Sequence, residues 1–164
     1  MVMNDALKPL DLAAIKAVLD QVPDPEVPVL TLNELGIIRE VAIKDGEIQV
    51  TLTPTYMGCP ATHAIRDMVT EALVDAGYPA PKLYEQLSPA WTTDWIAPEA
   101  REKLRKYGIA PPNGNCGQGA QKPKACPRCG SEHTALVSAF GSTACKALYR
   151  CLSCKEPFEY FKCH

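Results

Sequence analysis

No stretch of this 164-residue chain approaches the roughly 20 consecutive apolar residues that cross a bilayer. It has no internal repeat and no low-complexity tract. Neither charge dominates: 17 Lys and Arg stand against 19 Asp and Glu, a net charge of −2. That balance argues against nucleic acid or another polyanion as partner. Asp5, Lys8 and Asp11 interrupt the N-terminal stretch, which has no signal-peptide core. The expectation is a cytoplasmic chain with reduced thiols and no membrane association. Two catalytic signatures are also missing. There is no Glu-x-x-His pair of the kind that builds a carboxylate di-iron centre, and no Gly-rich dinucleotide fingerprint. The composition, 46% hydrophobic and 22% charged, is that of a globular protein.

What the chain does have is cysteine, eight in all, and 15 prolines. Cys126-Pro127-Arg128-Cys129-Gly130 is followed by Cys151-Leu152-Ser153-Cys154. A two-residue gap lets the backbone turn back so that both sulfurs face one ion, and Gly130 suits the turn after Cys129. Two such steps at this separation have the pattern of a zinc ribbon, with knuckles at the ends of a small antiparallel sheet. Four reduced cysteines in an ordinary core is the plain alternative. An iron–sulfur cluster on the same thiolates is the chemical one. Zinc is the favoured cofactor. A tail this short has too little apolar surface to fold alone, so metal binding is expected to supply its folding free energy.

Taken in order, the sequence predicts an α+β fold of two units. Asp11 can cap an amphipathic helix over 11–22, with Leu12, Ile15, Leu19 and Val22 on one face and Pro23 ending it. Asp24 to Pro28 must be extended or turning. Thr31 and Glu34 have capping-box spacing. Strands follow over 37–43 and 48–53, joined by Asp45-Gly46, a hairpin signal. A long helix with a broad apolar stripe from Ala64 to Ala76 leads to a third strand over 82–87. The result is an αββαβ domain over 10–109, with a mixed sheet, helices on one face and one further helix from Pro98 to Gly108. Residues 110–124 read as a linker rich in Pro, Gly and Asn. Residues 125–164 form the metal-binding module, with strands over 135–140, 147–150 and 158–161.

Cys59 is the sharpest candidate in the first unit. It lies between Gly58 and Pro60 and is expected at or near the N-cap of the long helix, where the helix dipole would favour a thiolate reachable from solvent. Such a thiol could bind a soft metal, hold a cluster in transit or act as a nucleophile. A small buried side chain in a tight turn is the alternative. His63 is the nearest base. Asp24 and Glu26 read as solvated loop acids, and Thr53, Thr55 and Tyr56 as hydroxyls near Cys59. Trp91 and Trp95 read first as core residues. Cys145, Cys163 and His164, with His133, exceed what a four-ligand ribbon needs and could form part of a second metal or cluster contact. Cys116 reads as a linker thiol without structural duty.

Several stretches together resemble a known family. These are Asp24-Pro25-Glu26-Val27-Pro28, Leu35-Gly36-Ile37-Ile38, Thr53-Pro54-Thr55-Tyr56-Met57-Gly58-Cys59-Pro60 and Pro89-Ala90-Trp91. They follow the small iron–sulfur assembly domain that includes SufT and the eukaryotic cytosolic cluster-targeting proteins. The family's characteristic cysteine falls on Cys59. The run from Phe140 to Cys151, with Glu156-Pro157-Phe158-Glu159 and Phe161-Lys162-Cys163-His164, is similar to the PaaD family, accessory proteins encoded with the bacterial phenylacetyl-CoA epoxidase. The resemblance implies a role in aerobic phenylacetate catabolism without a catalytic centre of the chain's own. It implies the epoxidase subunits as partners, either the di-iron oxygenase or the reductase that carries a flavin and a [2Fe–2S] cluster. The implied task is assembly or maturation of an iron or iron–sulfur centre. The alternatives are an iron–sulfur electron-transfer protein using the C-terminal cysteines and a cysteine-dependent enzyme using Cys59. A homodimer is compatible with either.

Overall fold

The computed structural model of the chain describes residues 7–113 and 122–163. The chain divides into two compact units, the first ending at Trp91 and the second beginning at Thr92.

In the first unit the Asp11 carboxylate accepts the Ala13 N–H at 3.0 Å and caps α1, Leu12–Leu19, which buries Ile15 and Leu19. The helix is shorter than expected, and Val22 is buried beyond its end as the chain turns toward Pro23, which bridges to Thr31. The proline-rich loop also departs from expectation. Asp24 is 5% exposed rather than solvated. Its Oδ1 accepts the N–H groups of Glu26 and Val27 at 2.9 and 2.7 Å, and its own N–H reaches the Leu30 carbonyl. Pro25 and Pro28 have no N–H to offer, so a single carboxylate organises the donors that remain between them. Thr31 and Glu34 form the reciprocal pair: the Thr31 N–H donates to Glu34 Oε2 at 2.9 Å, and the Glu34 N–H to Thr31 Oγ1 at 3.2 Å.

Strands β1, Ile38–Lys44, and β2, Glu47–Leu52, form the antiparallel hairpin. Asp45 and Gly46 take φ of +52° and +75°, the two positive values that a type I′ turn requires. The alternation in β2 buries Ile48, Val50 and Leu52. Helix α2, Ala61–Asp75, buries Ile65, Val69 and Leu73, and packs on α1, which in turn packs on β1. Its buried stripe is narrower than the sequence suggested, since Ala64 faces solvent. Strand β3, Lys82–Glu85, then pairs in parallel with β2, giving a mixed sheet in the order β1-β2-β3. Trp91 closes this unit, buried, with Nε1 donating to the Leu35 carbonyl at 2.8 Å.

The second unit claims more of the chain than the cysteine module alone. Helix α3, Pro98–Tyr107, ends at Gly108 with φ +96°. The next two residues form β4, Ile109–Ala110, which pairs in parallel with β7, Pro157–Phe161. The helix expected within 10–109 therefore packs with the ribbon, and the expected linker opens inside a sheet. Ala100, Leu104 and Ile109 are buried, so this charged segment still has one apolar face that needs a core. Strands β5, Thr134–Ser138, β6, Lys146–Cys151, and β7 run antiparallel, completing the order β4-β7-β6-β5. Their core joins Ala147, Tyr149, Phe158 and Tyr160 to Ala110, Cys126 and Cys151. Tyr149 stands edge-on to Tyr160 with ring centroids 5.8 Å apart.

One ion pair is built into this sheet. Lys146 is 3% exposed, and its Nζ lies 3.1 Å from Glu159 Oε2. Glu159 Oε1 accepts the Ser142 N–H at 2.5 Å. Gly141 leaves room for that carboxylate, since a Cβ there would sit 2.5 Å from Glu159 Oε1. Burial works to raise the Glu159 pKa, but the Ser142 N–H and the Lys146 ammonium together hold it below the usual carboxylate range.

Candidate functional site

Two equivalent knuckles bring four sulfurs together at one end of the second sheet. In the first, the Gly130 N–H donates to the Cys126 carbonyl at 2.9 Å and the Cys126 N–H to the Ser131 carbonyl at 2.8 Å, with Gly130 at φ +76°. In the second, Lys155 holds the corresponding place after Cys154 with φ +67°, and the Cys151 N–H donates to the Glu156 carbonyl at 3.0 Å. The knuckles are tied by Ser131 Oγ to Ser153 Oγ at 2.7 Å and by the Leu152 N–H to the His133 carbonyl at 2.8 Å.

The sulfurs of Cys126, Cys129, Cys151 and Cys154 all lie within 4.8 Å of one another. Cys126 is 3.9 Å from Cys154, and Cys129 is 3.5 Å from Cys151. A tetrahedron with zinc–sulfur bonds of about 2.3 Å has sulfur–sulfur edges of about 3.8 Å, so the spacing suits one shared ion. A cluster of several irons interposes its own atoms and holds its cysteines farther apart. As bare thiols, Cys151 and Cys154 are driven in opposite directions. The Cys154 N–H points at Cys151 Sγ at 3.4 Å and, with neighbouring donors, brings that thiol down to about 6. Cys154 itself receives a hydrogen bond from the Glu156 N–H, yet burial and the surrounding sulfurs push it up to about 11. One negative charge is stabilised and further ones are resisted, the condition that a divalent cation relieves.

Among the described residues the additional tail ligands do not assemble. Cys145 is 3% exposed, with its Sγ 3.0 Å from Thr143 Oγ1. Cys163 is disulfide-bonded and therefore offers no thiolate, a departure from the expectation of reduced thiols throughout. The His133 side chain is exposed and outside the sulfur group. His164 and Cys116 lie outside the described residues. Among the described residues, one group of three or more Cys, His, Asp or Glu ligands converges, and it is the four-cysteine group.

Cys59 lies near the helix start, as expected, but is more buried than the sequence suggested. Pro60 occupies the N-cap of α2, which puts Cys59 one residue outside it, and the side chain is 7% exposed. Its carbonyl accepts the Thr62 N–H at 3.1 Å. The reason is Gly58, whose φ of +76° turns the chain so that Cys59 points back toward the fold. Cys59 nonetheless forms part of the wall of a cavity of about 680 Å³, together with Met57, His63, Arg66, Glu85 and Leu87. Met57, 81% exposed, stands at the surface beside it. Thr53 is fully buried and its Oγ1 has no hydrogen-bond partner among the described residues.

Sequence reasoning missed the buried Asp24 and the Lys146–Glu159 pair. Pro25 and Pro28 around the only two backbone donors were a usable signal for the first. For the second, only Gly141 hinted at a close approach.

Two known families match separate parts of this chain. Residues 12–80 match the family described as iron–sulfur cluster assembly protein, and residues 110–162 match the PaaD zinc beta ribbon domain. The chain is 51% identical over 158 residues, 96% of each chain, to a candidate 1,2-phenylacetyl-CoA epoxidase subunit of Escherichia coli (strain K12). It is 35% identical to an Fe-S protein maturation auxiliary factor of Bacillus subtilis (strain 168), covering 64% of this chain and 92% of that one. A conserved hypothetical protein from Thermotoga maritima superimposes with a TM-score of 0.50 at 27% identity, over 59% of this chain and 96% of that one. A domain of unknown function from Bacillus anthracis, 23% identical over 57% of this chain and 90% of its own, shares the fold with a TM-score of 0.51.

Proposed function

This chain belongs to the PaaD family of 1,2-phenylacetyl-CoA epoxidase subunits, and on that footing we propose that it matures an iron or iron–sulfur centre of that epoxidase and is not itself the oxygenase. The observation that carries the reading is the junction of two modules in one chain. An iron–sulfur assembly domain presents Cys59 at a cavity, and a ribbon joined to it carries a four-sulfur site for one ion. The ion is zinc, held by Cys126, Cys129, Cys151 and Cys154. Its task is structural, because all four positions of a tetrahedron are taken and none is left open for a substrate. The working thiol is Cys59, whose soft sulfur suits iron held in transit. His63 and Glu85 share its cavity and offer additional donors for that cargo. The partner is the di-iron or the [2Fe–2S] component.

The test is to purify the epoxidase from cells with and without this protein and count iron in each of its components. Loss of iron from one component in its absence identifies the centre served, and full iron in every component refutes the proposal. The colour of the purified chain is the companion measurement. Colourless protein with one zinc fits a structural ribbon. Brown protein that bleaches with dithionite would instead make it an electron carrier.

A further inference from the structure

A cleft of about 640 Å³ lies within the second unit, between α3 and the first knuckle. Among the described residues, every ionisable side chain on its wall other than the cysteines is a cation: Arg101, Arg105, Lys124 and Arg128. In a chain of net charge −2 this is a local reversal of sign. We propose that this cleft binds a phosphate-bearing small molecule of nucleotide size. The proposal does not rest on the maturation role.

The two helix arginines are already held in place. Arg101 donates from Nη1 to the Pro112 carbonyl at 2.8 Å and from Nη2 to the Thr93 carbonyl at 3.2 Å. Those carbonyls fix the guanidinium without cancelling its charge. Arg105 is four residues on, so it lies on the same face of α3. It is steadied by Glu102, through Nε at 2.9 Å and Nη2 at 2.6 Å, on an exposed surface that leaves part of its field unspent. Lys124 and Arg128 approach from the knuckle side, exposed and without an ion pair among the described residues. Planar guanidinium groups match phosphate oxygens two bonds at a time, and several around one concavity select a ligand with more than one phosphate. Ala110, Pro112 and Pro127 supply an apolar wall that a flat organic group could cover. The volume is in the ordinary range for small-molecule sites, about 300–1,000 Å³.

These cations also have a simpler conceivable use. Four thiolates around a divalent ion carry a net charge of −2, and Arg128 beside Cys129 is well placed to offset it. Arg101 and Arg105 are not needed for that, and the test separates the two uses.

The experiment is calorimetric titration of the zinc-loaded full-length protein with coenzyme A, ATP, inorganic pyrophosphate and a short poly-aspartate peptide, at two salt concentrations. Saturable binding of a phosphate probe that weakens with salt is expected. The Arg105→Gln/Arg128→Gln variant should lose about tenfold or more in affinity, with its zinc content unchanged. Arg128→Gln alone, at an exposed position without an ion pair, serves if the double variant is unstable. The tightest phosphate probe identifies the source, whether the nucleotide end of a coenzyme A thioester, a free nucleotide or bare diphosphate. No saturation at millimolar concentration overturns the proposal. So does affinity unchanged in the variants, or tighter binding of the acidic peptide than of every phosphate probe, which would make the cleft a protein contact. Loss of zinc with anion binding intact would assign the arginines to the metal centre.

Discussion

Glu159→Gln removes one charge from the pair that fastens β6 to β7 and leaves its shape nearly unchanged. The amide oxygen can still accept the Ser142 N–H, now at 2.5 Å. The amide nitrogen, however, faces Lys146 Nζ, where Oε2 stood at 3.1 Å. Donor meets donor, and an ammonium whose side chain is 4% exposed loses its counter-charge. Breaking one side of a buried pair costs about 3–5 kcal/mol, and the lower figure applies because the Glu159 side chain is still 24% exposed to water. With a urea slope of about 1–3 kcal/mol/M, that loss lowers the midpoint of the second unit by about 1–3 M. The assay is hydrogen exchange of residues 146–161 against urea in zinc-loaded protein, which reports this unit separately from the first. Adding Lys146→Met should restore most of the loss, since it removes the ammonium that Glu159→Gln strands without a counter-charge. A cost under about 1 kcal/mol for Glu159→Gln would refute the reasoning, as would a double variant no better than the sum of the two single ones.

Stripping the metal with a chelator, or Cys151→Ala, should abolish exchange protection in residues 134–161 while residues 12–85 keep theirs, because the units have separate cores; elemental analysis finding no zinc in the untreated protein would reject the premise. Cys59→Ala should fold normally yet leave the epoxidase short of iron in cells grown on phenylacetate. Cys59→Ser should cost about 1–3 kcal/mol, since the position is 7% exposed and is not the N-cap, so a hydroxyl there is desolvated; equal stability of the two variants by thermal melting would contradict this. Asp24→Ala should cost about 2 kcal/mol or more by leaving the Glu26 and Val27 N–H groups without their acceptor, measured by urea denaturation of the first unit. The Glu159 carboxyl titrates below its unfolded value, so its contribution is complete above the ordinary carboxylate range and is lost as pH falls through the lowered value. Acid should therefore weaken the second unit in wild type more than in the Glu159→Gln/Lys146→Met variant.

Features governed by near neighbours in the chain were legible from the residues alone. The Asp11 cap, the Thr31–Glu34 exchange, the Asp45-Gly46 turn, the Ile48-Val50-Leu52 alternation and the paired Cys-x-x-Cys steps each depend on a separation of five residues or fewer. Backbone geometry fixes what such neighbours can reach. Even the meeting of the two knuckles could be inferred, because four thiolates have few other stable uses. What the sequence could not express was the partner of a surface that several distant segments could have covered. Ile109 and Ala110 pair with Glu159 and Tyr160, about fifty positions away, and carry α3 into the second unit. Lys146 and Glu159 meet only because β6 and β7 take a register that sets Lys146 against Phe161. The same limit applies to burial. Asp24 and Cys59 have the composition of exposed loop residues, and only the surrounding packing turned one into a loop organiser and the other into the wall of a cavity. Arg101 and Arg128 share a cleft for the same reason: charge is written residue by residue, but its concentration in one place belongs to the folded chain.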